Sequence, residues 1–242
     1  YMLDIAWGRS TTTQDLEGDT TGTSDVRPSP EQLAEVLRGF VGDIEQVPPQ
    51  FSAIKVNGER AYDLARDGET VELKPRKVQL FEARVDPAST PDKARLHVTC
   101  GKGFYIRALV RDLAVELGAE GHVSLLRRAR VGDFALETAI NIDDLQAMDT
   151  IDARKAVLRP IEPALDDIPK VEVDSPSASK IRMGRDVVLL PDQIDAFKNE
   201  RTDLQGETSD DRLAFAHVAG RAVALGEVRA GYFRPSRVFQ VE

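Results

Sequence analysis

The chain has 242 residues, of which 41% are hydrophobic and 30% charged, and its formal net charge is −9. No apolar run approaches the roughly 20 residues of a bilayer-spanning helix, so the composition suits one large globular domain, or a main domain with a small one. One cysteine, Cys100, excludes an intramolecular disulfide framework and fits a reducing, cytoplasmic setting; three scattered histidines (His97, His122, His217) argue against a His/Cys metal site.

Residues 1–7 alternate as a strand does and begin with no lead-in. Residues 1–9 lack the basic start and apolar stretch of a secretory signal. Tyr1 is no initiator methionine and the strand has no lead-in, which leaves a processed protein or a fragment of a longer one, and the fragment is the preferred reading. Residues 8–22, rich in Thr, Gly and Asp, read as a loop. Ser29-Pro30-Glu31-Gln32 predicts a helix start: Ser29 as N-cap, Pro30 in the first helical position, Gln32 completing a capping box. Leu33, Val36, Leu37 and Phe40 then recur at helical spacing and mark the buried face. Pro48-Pro49 stiffens the approach to a short strand over 51–56, Asn57-Gly58 marks a turn, and 60–66 a short helix closed by Gly68.

Residues 71–85 read as strand material broken at Pro75, and 93–100 alternate cleanly, with Ala94, Leu96, Val98 and Cys100 on one face. Ile106, Leu109, Val110, Leu113 and Leu117 form the stripe of a second helix, stopped by Gly118. The character changes around 160–169. Short apolar runs follow, at 171–173, 187–190, 213–218, 222–228 and 237–241, with a polar, mobile loop over 199–211. The predicted architecture is α+β, a mixed or antiparallel sheet flanked by helices over residues 1–165, then a small β-rich domain over 166–242 of the size of barrel-like RNA-binding modules.

The densest chemical signal is Cys100-Gly101-Lys102-Gly103-Phe104-Tyr105-Ile106-Arg107. Two glycines permit a sharp turn between strand and helix and close approach of another chain. Arg107 then falls in the first helical turn, where the macrodipole disfavours a cation by ~0.3–1 kcal/mol. Arg111 repeats the charge at i+4, which adds a small repulsion. Two penalties at one spot ask for a negative partner, a carboxylate or a phosphate; the alternative is that Arg107 snorkels to solvent. Tyr105 serves either as a core residue or as a stacking platform. Lys102, flanked by glycines, suits a phosphate contact; Arg127 and Arg128 belong to a basic cluster, and His122 reads as structural. Lys55 is out of phase with Ile54 and Val56 and faces solvent or ligand, while Asp15 lies in an acidic, Gly-rich loop that could place an acid in a cleft.

Charge supports the same region. Residues 55–130 carry 15 Lys and Arg against 11 Asp and Glu, a net of +4, which leaves −13 elsewhere. Phosphate affinity comes from basic surface, so any nucleic acid is expected on this stretch and not on the acidic remainder.

Taken together, these blocks resemble the TruB family of bacterial tRNA pseudouridine synthases. Gly8…Thr11-x-Thr13-x-Asp15-x-Glu17-Gly18, then Pro48-Pro49-x-Phe51-Ser52-Ala53-Ile54-Lys55 with Ala61-Tyr62-x-x-Ala65-Arg66, then Cys100–Arg107 with Asp112-Leu113 and Leu126-Arg127-Arg128 match the family's blocks in order, over about residues 1–145. The resemblance implies a cofactor-free, metal-free isomerase, acting as a monomer, that flips the T-loop uridine (position 55) out of the tRNA T arm and reattaches its base through C5. It assigns Tyr1 to packing on the flipped base, Arg107 to pairing with the essential aspartate, Tyr105 to the same pocket and Leu126 to its floor. It implies RNA contacts at Asp15, Lys55, Arg66, Lys102, Arg111, Arg127 and Arg128, a segment over 60–77 that closes on the T arm, and a PUA-like tail.

The family's nucleophile lies in a Gly-x-Leu-Asp-Pro loop N-terminal to the tyrosine matched by Tyr1. No Leu-Asp-Pro occurs in this chain, which by itself is therefore expected to be inactive. A non-catalytic RNA-binding module and a guide-RNA-dependent relative acting on ribosomal RNA are the competing readings. For Arg107 the resemblance leaves two outcomes: a solvated guanidinium, or a substitute acid such as Asp15.

Overall fold

Alternation decides the first sheet. Leu3, Ile5 and Trp7 point one way from strand β1 (Met2–Trp7), and the side chain of Asp4 points the other. The structure, a computed structural model, describes residues 1–56, 59–66, 72–203 and 212–240. It divides into two compact units, Tyr1–Ala129 and Arg130–Glu242; the boundary read from the sequence lay between 165 and 166.

In the first unit β1 is followed by β2 (Arg9–Thr11), β3 (Thr20–Thr23), helix α1 (Pro30–Arg38), β4 (Gly42–Gln46), β5 (Lys55–Val56), β6 (Glu59–Arg60), α2 (Ala61–Arg66), β7 (Arg76–Val85), β8 (Lys93–Cys100), α3 (Ile106–Glu116) and β9 (Gly121–Arg127). Five strands form one antiparallel sheet in the order β4-β7-β8-β1-β9. Its apolar face presents Leu3, Ile5, Leu80, Leu96 and Val98, covered by Leu33 and Leu37 of α1 and by Ile106, Leu109, Val110 and Leu113 of α3. Each fully buried Leu or Ile here contributes about 1.5–3 kcal/mol.

The predicted capping box of α1 is present: Ser29 Oγ accepts from the Gln32 amide, and Gln32 Oε1 accepts from the Ser29 amide. Strand β8 and helix α3 fall where alternation and the helical stripe put them. Several details differ from the sequence expectation, among them strand β9, which was not foreseen. The predicted loop over 8–22 contains a ribbon of β2 and β3, because threonine favours extended backbone and Thr11 is buried. The short strand over 51–56 reduces to Lys55–Val56. Strand β4 was not foreseen, since one apolar residue, Ile44, is too little alternation to read. The predicted turn at Asn57-Gly58 and the helix stop at Gly68 lie outside the described residues.

The second unit opens with a ribbon of β10 (Arg130–Val131) and β11 (Phe134–Ala135) and two short helices, α4 (Ile142–Gln146) and α5 (Ile151–Ala156). Strand β12 (Lys170–Glu172), α6 (Ser175–Arg182), β13 (Val187–Val188), α7 (Pro191–Asp203), β14 (Leu213–Val218), β15 (Arg221–Arg229) and β16 (Tyr232–Val238) follow. Its sheet runs β12-β14-β15-β16-β13, antiparallel except for the β12–β14 pair. Val171, Ile181, Phe197, Ala214, Ala216, Val223 and Phe233 fill its core.

Residues 199–203, expected within a mobile loop, are instead the end of α7. Ile194 and Phe197 anchor that helix, and Glu200 accepts the Lys170 amide at 3.0 Å while pairing with its ammonium at 3.2 Å. Two apolar anchors on a charged helix are too sparse a stripe to recognise in sequence. The α+β class with a small β-rich C-terminal part stands.

Candidate active site

Helix α3 follows β8 through a tight turn. Gly103 has φ +78°, a backbone conformation that side chains resist, and this turn brings the chain round so that Tyr105 is the N-cap and Arg107 lies in the first helical turn. Lys102 is exposed at the tip of the turn.

Arg107 is the convergence point. Nη1 donates to Asp15 Oδ2 and to the Thr13 carbonyl, both at 3.0 Å, and Nη2 donates to the Phe51 carbonyl at 2.7 Å. The side chain is only 24% exposed. The two penalties read from the sequence are thus answered by a carboxylate and two carbonyl dipoles, which is what a partly buried guanidinium requires. Of the two outcomes left open for Arg107, the substitute acid Asp15 is the one adopted.

Asp15 is itself held. Its Oδ1 accepts from Thr13 Oγ1 and from the Glu17 amide, and its carbonyl accepts from Thr11 Oγ1 at 2.6 Å. The loop is pinned to β9 by a bond from the Val123 amide to the Gln14 carbonyl and by the His122 ring, whose Nδ1 lies 2.9 Å from the Arg9 carbonyl. Gly18 closes the loop so tightly that a Cβ there would lie 2.6 Å from the Thr13 amide nitrogen. The Thr-x-Thr-x-Asp-x-Glu-Gly pattern is therefore a device that presents one carboxylate to α3.

One residue that sequence reasoning missed is Gln46, at the end of β4 and 1% exposed. The Tyr105 amide donates to its Oε1 at 2.9 Å, and its Nε2 donates to the Tyr105 carbonyl at 3.1 Å. In a capping box the third helical residue reaches back to the N-cap amide. In α3 that residue is Ala108, which cannot, and Gln46 serves from another strand. Arg111, expected to contact RNA, donates from Nε to Asp112 at 2.7 Å and from Nη2 to the Val47 carbonyl at 2.9 Å.

Tyr1, Leu126, Arg127 and Arg128 gather at the start of β1. The Tyr1 carbonyl accepts from the Val98 amide, and the guanidinium of Arg128 sits 5.2 Å from the centre of the Tyr1 ring, in cation–π range. Leu126 faces Leu3 across β1–β9 and is 47% exposed; Arg127 is exposed beside it. Lys55 and Arg66 lie in β5 and α2, and their side chains are outside the described residues.

Asp4, whose Leu3-Asp4 context in the sequence is not that of the family's nucleophile, is fully buried. Arg95 grips both of its oxygens, at 2.6 and 2.9 Å, and Lys93 adds a third contact at 2.7 Å. The hydrogen bonds from Arg95, and then those from Lys93, outweigh burial and hold its carboxyl at about 2, below its ordinary 3.8. So sealed, Asp4 is unavailable as a nucleophile. Among the described residues, no group of three or more metal-ligating side chains comes together, and no helix is long and apolar enough to cross a membrane.

Comparison with known proteins is consistent across sequence and fold. Residues 1–106 match the model described as TruB family pseudouridylate synthase (N terminal domain), and 107–166 match that of the tRNA pseudouridylate synthase B C-terminal domain. The chain is 50% identical to tRNA pseudouridine synthase B of Caulobacter sp. (strain K31), covering 100% of this chain and 76% of that protein. It is 40% identical to the protein of that name from Rhizobium johnstonii, over 99% and 75%. Among solved structures, a Cbf5-Nop10-Gar1 complex aligns with a TM-score of 0.65 at 20% identity, covering 99% of this chain and 67% of that one. An H/ACA RNP bound to a substrate RNA containing 2′-deoxyuridine gives 0.63 at 18%, over 99% and 66%. At those identities the likeness is one of fold.

Proposed function

The chain belongs to the TruB family of pseudouridylate synthases, and from that premise we propose that it acts on the T arm of tRNA and converts the T-loop uridine to pseudouridine. The reaction is an isomerisation: the bond from uracil N1 to ribose C1′ breaks, a C5–C1′ bond forms, C5 loses its proton to water and N1 gains one. One observation carries the reading. Three blocks far apart in sequence, around Thr13 and Asp15, around Phe51, and at Arg107, meet on a single guanidinium.

In this reading Arg107, oriented by Asp15, holds the nucleophilic aspartate of the family's Leu-Asp-Pro loop, a tripeptide that these 242 residues do not contain. Tyr1 packs on the flipped base, with Tyr105 in the same pocket and Leu126 at its floor. Lys102, Arg127 and Arg128 contact phosphates, joined by Lys55 and by Arg66 from the segment over 60–77 that closes on the T arm. Residues 1–165 form the catalytic domain and 166–242 a PUA-like RNA-binding one; the enzyme works as a cytoplasmic monomer without metal. Identity of 50% to a tRNA enzyme favours this substrate over a guide-dependent one, for which there is likeness of fold alone.

Release of tritium from tRNA labelled at uridine C5 tests it, with protein expressed from its whole reading frame. About one tritium per tRNA should be released, and none when the T-loop uridine is replaced by cytidine. Release undiminished by that replacement, or no release from the natural tRNA, refutes the assignment.

A further inference from the structure

We infer that Gln46 and Arg111 are positioning residues, which brace the chain between β4 and β5 against the first turns of α3 and so set the direction of Arg107. The inference rests on the reaction proposed above but not on any role that the family resemblance gives to these two side chains.

Side chains join the first two turns of α3 to the chain leaving β4. Gln46 takes both peptide groups of Tyr105, Arg107 holds the Phe51 carbonyl, and Arg111, one turn on, holds the Val47 carbonyl. Between these points lie Pro48 and Pro49, which are buried, donate no hydrogen bond and have fixed φ, so the segment cannot pair as a central strand. Besides the packing of these prolines, two of its carbonyls, at Val47 and Phe51, are held by side chains of α3.

The Gln46 contact is specific. An amide donor must meet Oε1 and a carbonyl must meet Nε2, so only one orientation of the side chain serves, and no other uncharged residue of that length offers both. Arg111 carries its own counter-charge, Asp112, at 2.7 Å, and directs Nη2 to a backbone carbonyl and not outward. A phosphate contact would need neither. This accounts for a like-charge pair at i, i+4 on α3: Arg107 faces the reacting groups, and Arg111 holds the segment that Arg107 leans on.

The perturbations are Gln46→Glu, which keeps an acceptor for the Tyr105 amide but loses the donor to its carbonyl, and Arg111→Met, which keeps the stem and removes the guanidinium. Both are made in the protein from its whole reading frame, with far-UV circular dichroism and a cooperative urea transition as the check of folding. Bracing predicts kcat lower by roughly 10–100-fold per folded molecule, with KM for tRNA within about threefold, since small misplacements of catalytic groups act on the chemical step. It also predicts that the double variant loses less than the product of the single losses, because both act through one segment. The salt dependence of T-arm binding gives a separate answer. Loss of a phosphate contact lowers the slope of log K against log salt by about 0.7–0.9, whereas a brace leaves it unchanged.

Unchanged kcat in both folded variants, or a reduced slope in Arg111→Met, overturns the inference. Absence of tritium release from the unsubstituted protein refutes the reaction instead, and the salt slope of Arg111→Met still decides whether that side chain braces or binds phosphate.

Discussion

Replacing Arg95 by methionine tests the electrostatics of β1 and β8 most directly, because the loss should depend on pH in a way that packing alone does not. Asp4 is fully buried and keeps Arg95 and Lys93, themselves 34% and 50% exposed, as partners. Its carboxyl at about 2, against an ordinary 3.8, corresponds to about 2 kcal/mol of stability at neutral pH, given ~1.4 kcal/mol per unit. The folded-state value is depressed, so this stability is fully present above the unfolded value. It is lost as pH falls from about 4 toward 2, and about 1 kcal/mol of it is gone by pH 3. Arg95→Met retains the aliphatic stem and removes the two-oxygen grip, leaving Lys93 alone. Because Lys93 keeps part of the effect, the expected cost is about 1–2 kcal/mol at pH 7 and about half of that at pH 3. Urea unfolding followed by the emission of Trp7, the only tryptophan and on the same strand as Asp4, reads the first unit alone. Equal costs at the two pH values would assign the loss to packing, and a cost below about 0.5 kcal/mol at pH 7 would show that water has taken over the role assigned to Arg95.

Asp15→Asn preserves the oxygen that receives Thr13 and Glu17 but removes the charge beside Arg107; kcat in the tritium assay should fall by about tenfold or more while the unfolding midpoint moves little. Lys102→Glu and Arg127→Glu, both at exposed positions, should each weaken T-arm binding by roughly tenfold at low salt and flatten its salt dependence. Binding indifferent to both would remove this surface from the RNA interface. In the second unit, Gly226→Ala would put a Cβ 2.3 Å from the Arg234 carbonyl oxygen. Spreading β15 from β16 should cost about 1–3 kcal/mol, read as a lower midpoint by circular dichroism.

The parts of the fold legible in the sequence are those where one period runs long enough. Lys93–Cys100 alternates over eight residues, and the α3 stripe spans three turns, so both elements are visible without a partner. Strand β4 and helix α7 are not, because each is held by one or two apolar contacts together with neighbours distant in sequence. The candidate site divides in the same way. Arg107 was detectable because a cation at a helix start is locally unfavourable, and that conflict pointed to a negative partner, a carboxylate or a phosphate. Gln46 has no local conflict to betray it: a glutamine ending a strand is unremarkable until Tyr105, which it holds, is folded beside it. The one available signal was Ala108, a third helical residue unable to complete a cap.

The position of β1 within its sheet governs how the first unit can assemble. Among the sheet's strands it is first in the chain, yet it lies between β8 and β9, with Met2 opposite both His97 and Arg127. Neither of its edges can be satisfied until most of the unit has been synthesised. At roughly 5–20 residues per second, Leu3, Ile5 and Trp7 wait on the order of ten seconds for their partners. During that interval an apolar strand with two unpaired edges is open to pairing with other nascent chains or to capture by a holdase. Sheet closure then depends on contacts of long sequence separation, which form slowly. Yield on refolding should therefore fall steeply with protein concentration, even though the finished sheet encloses that strand on both sides.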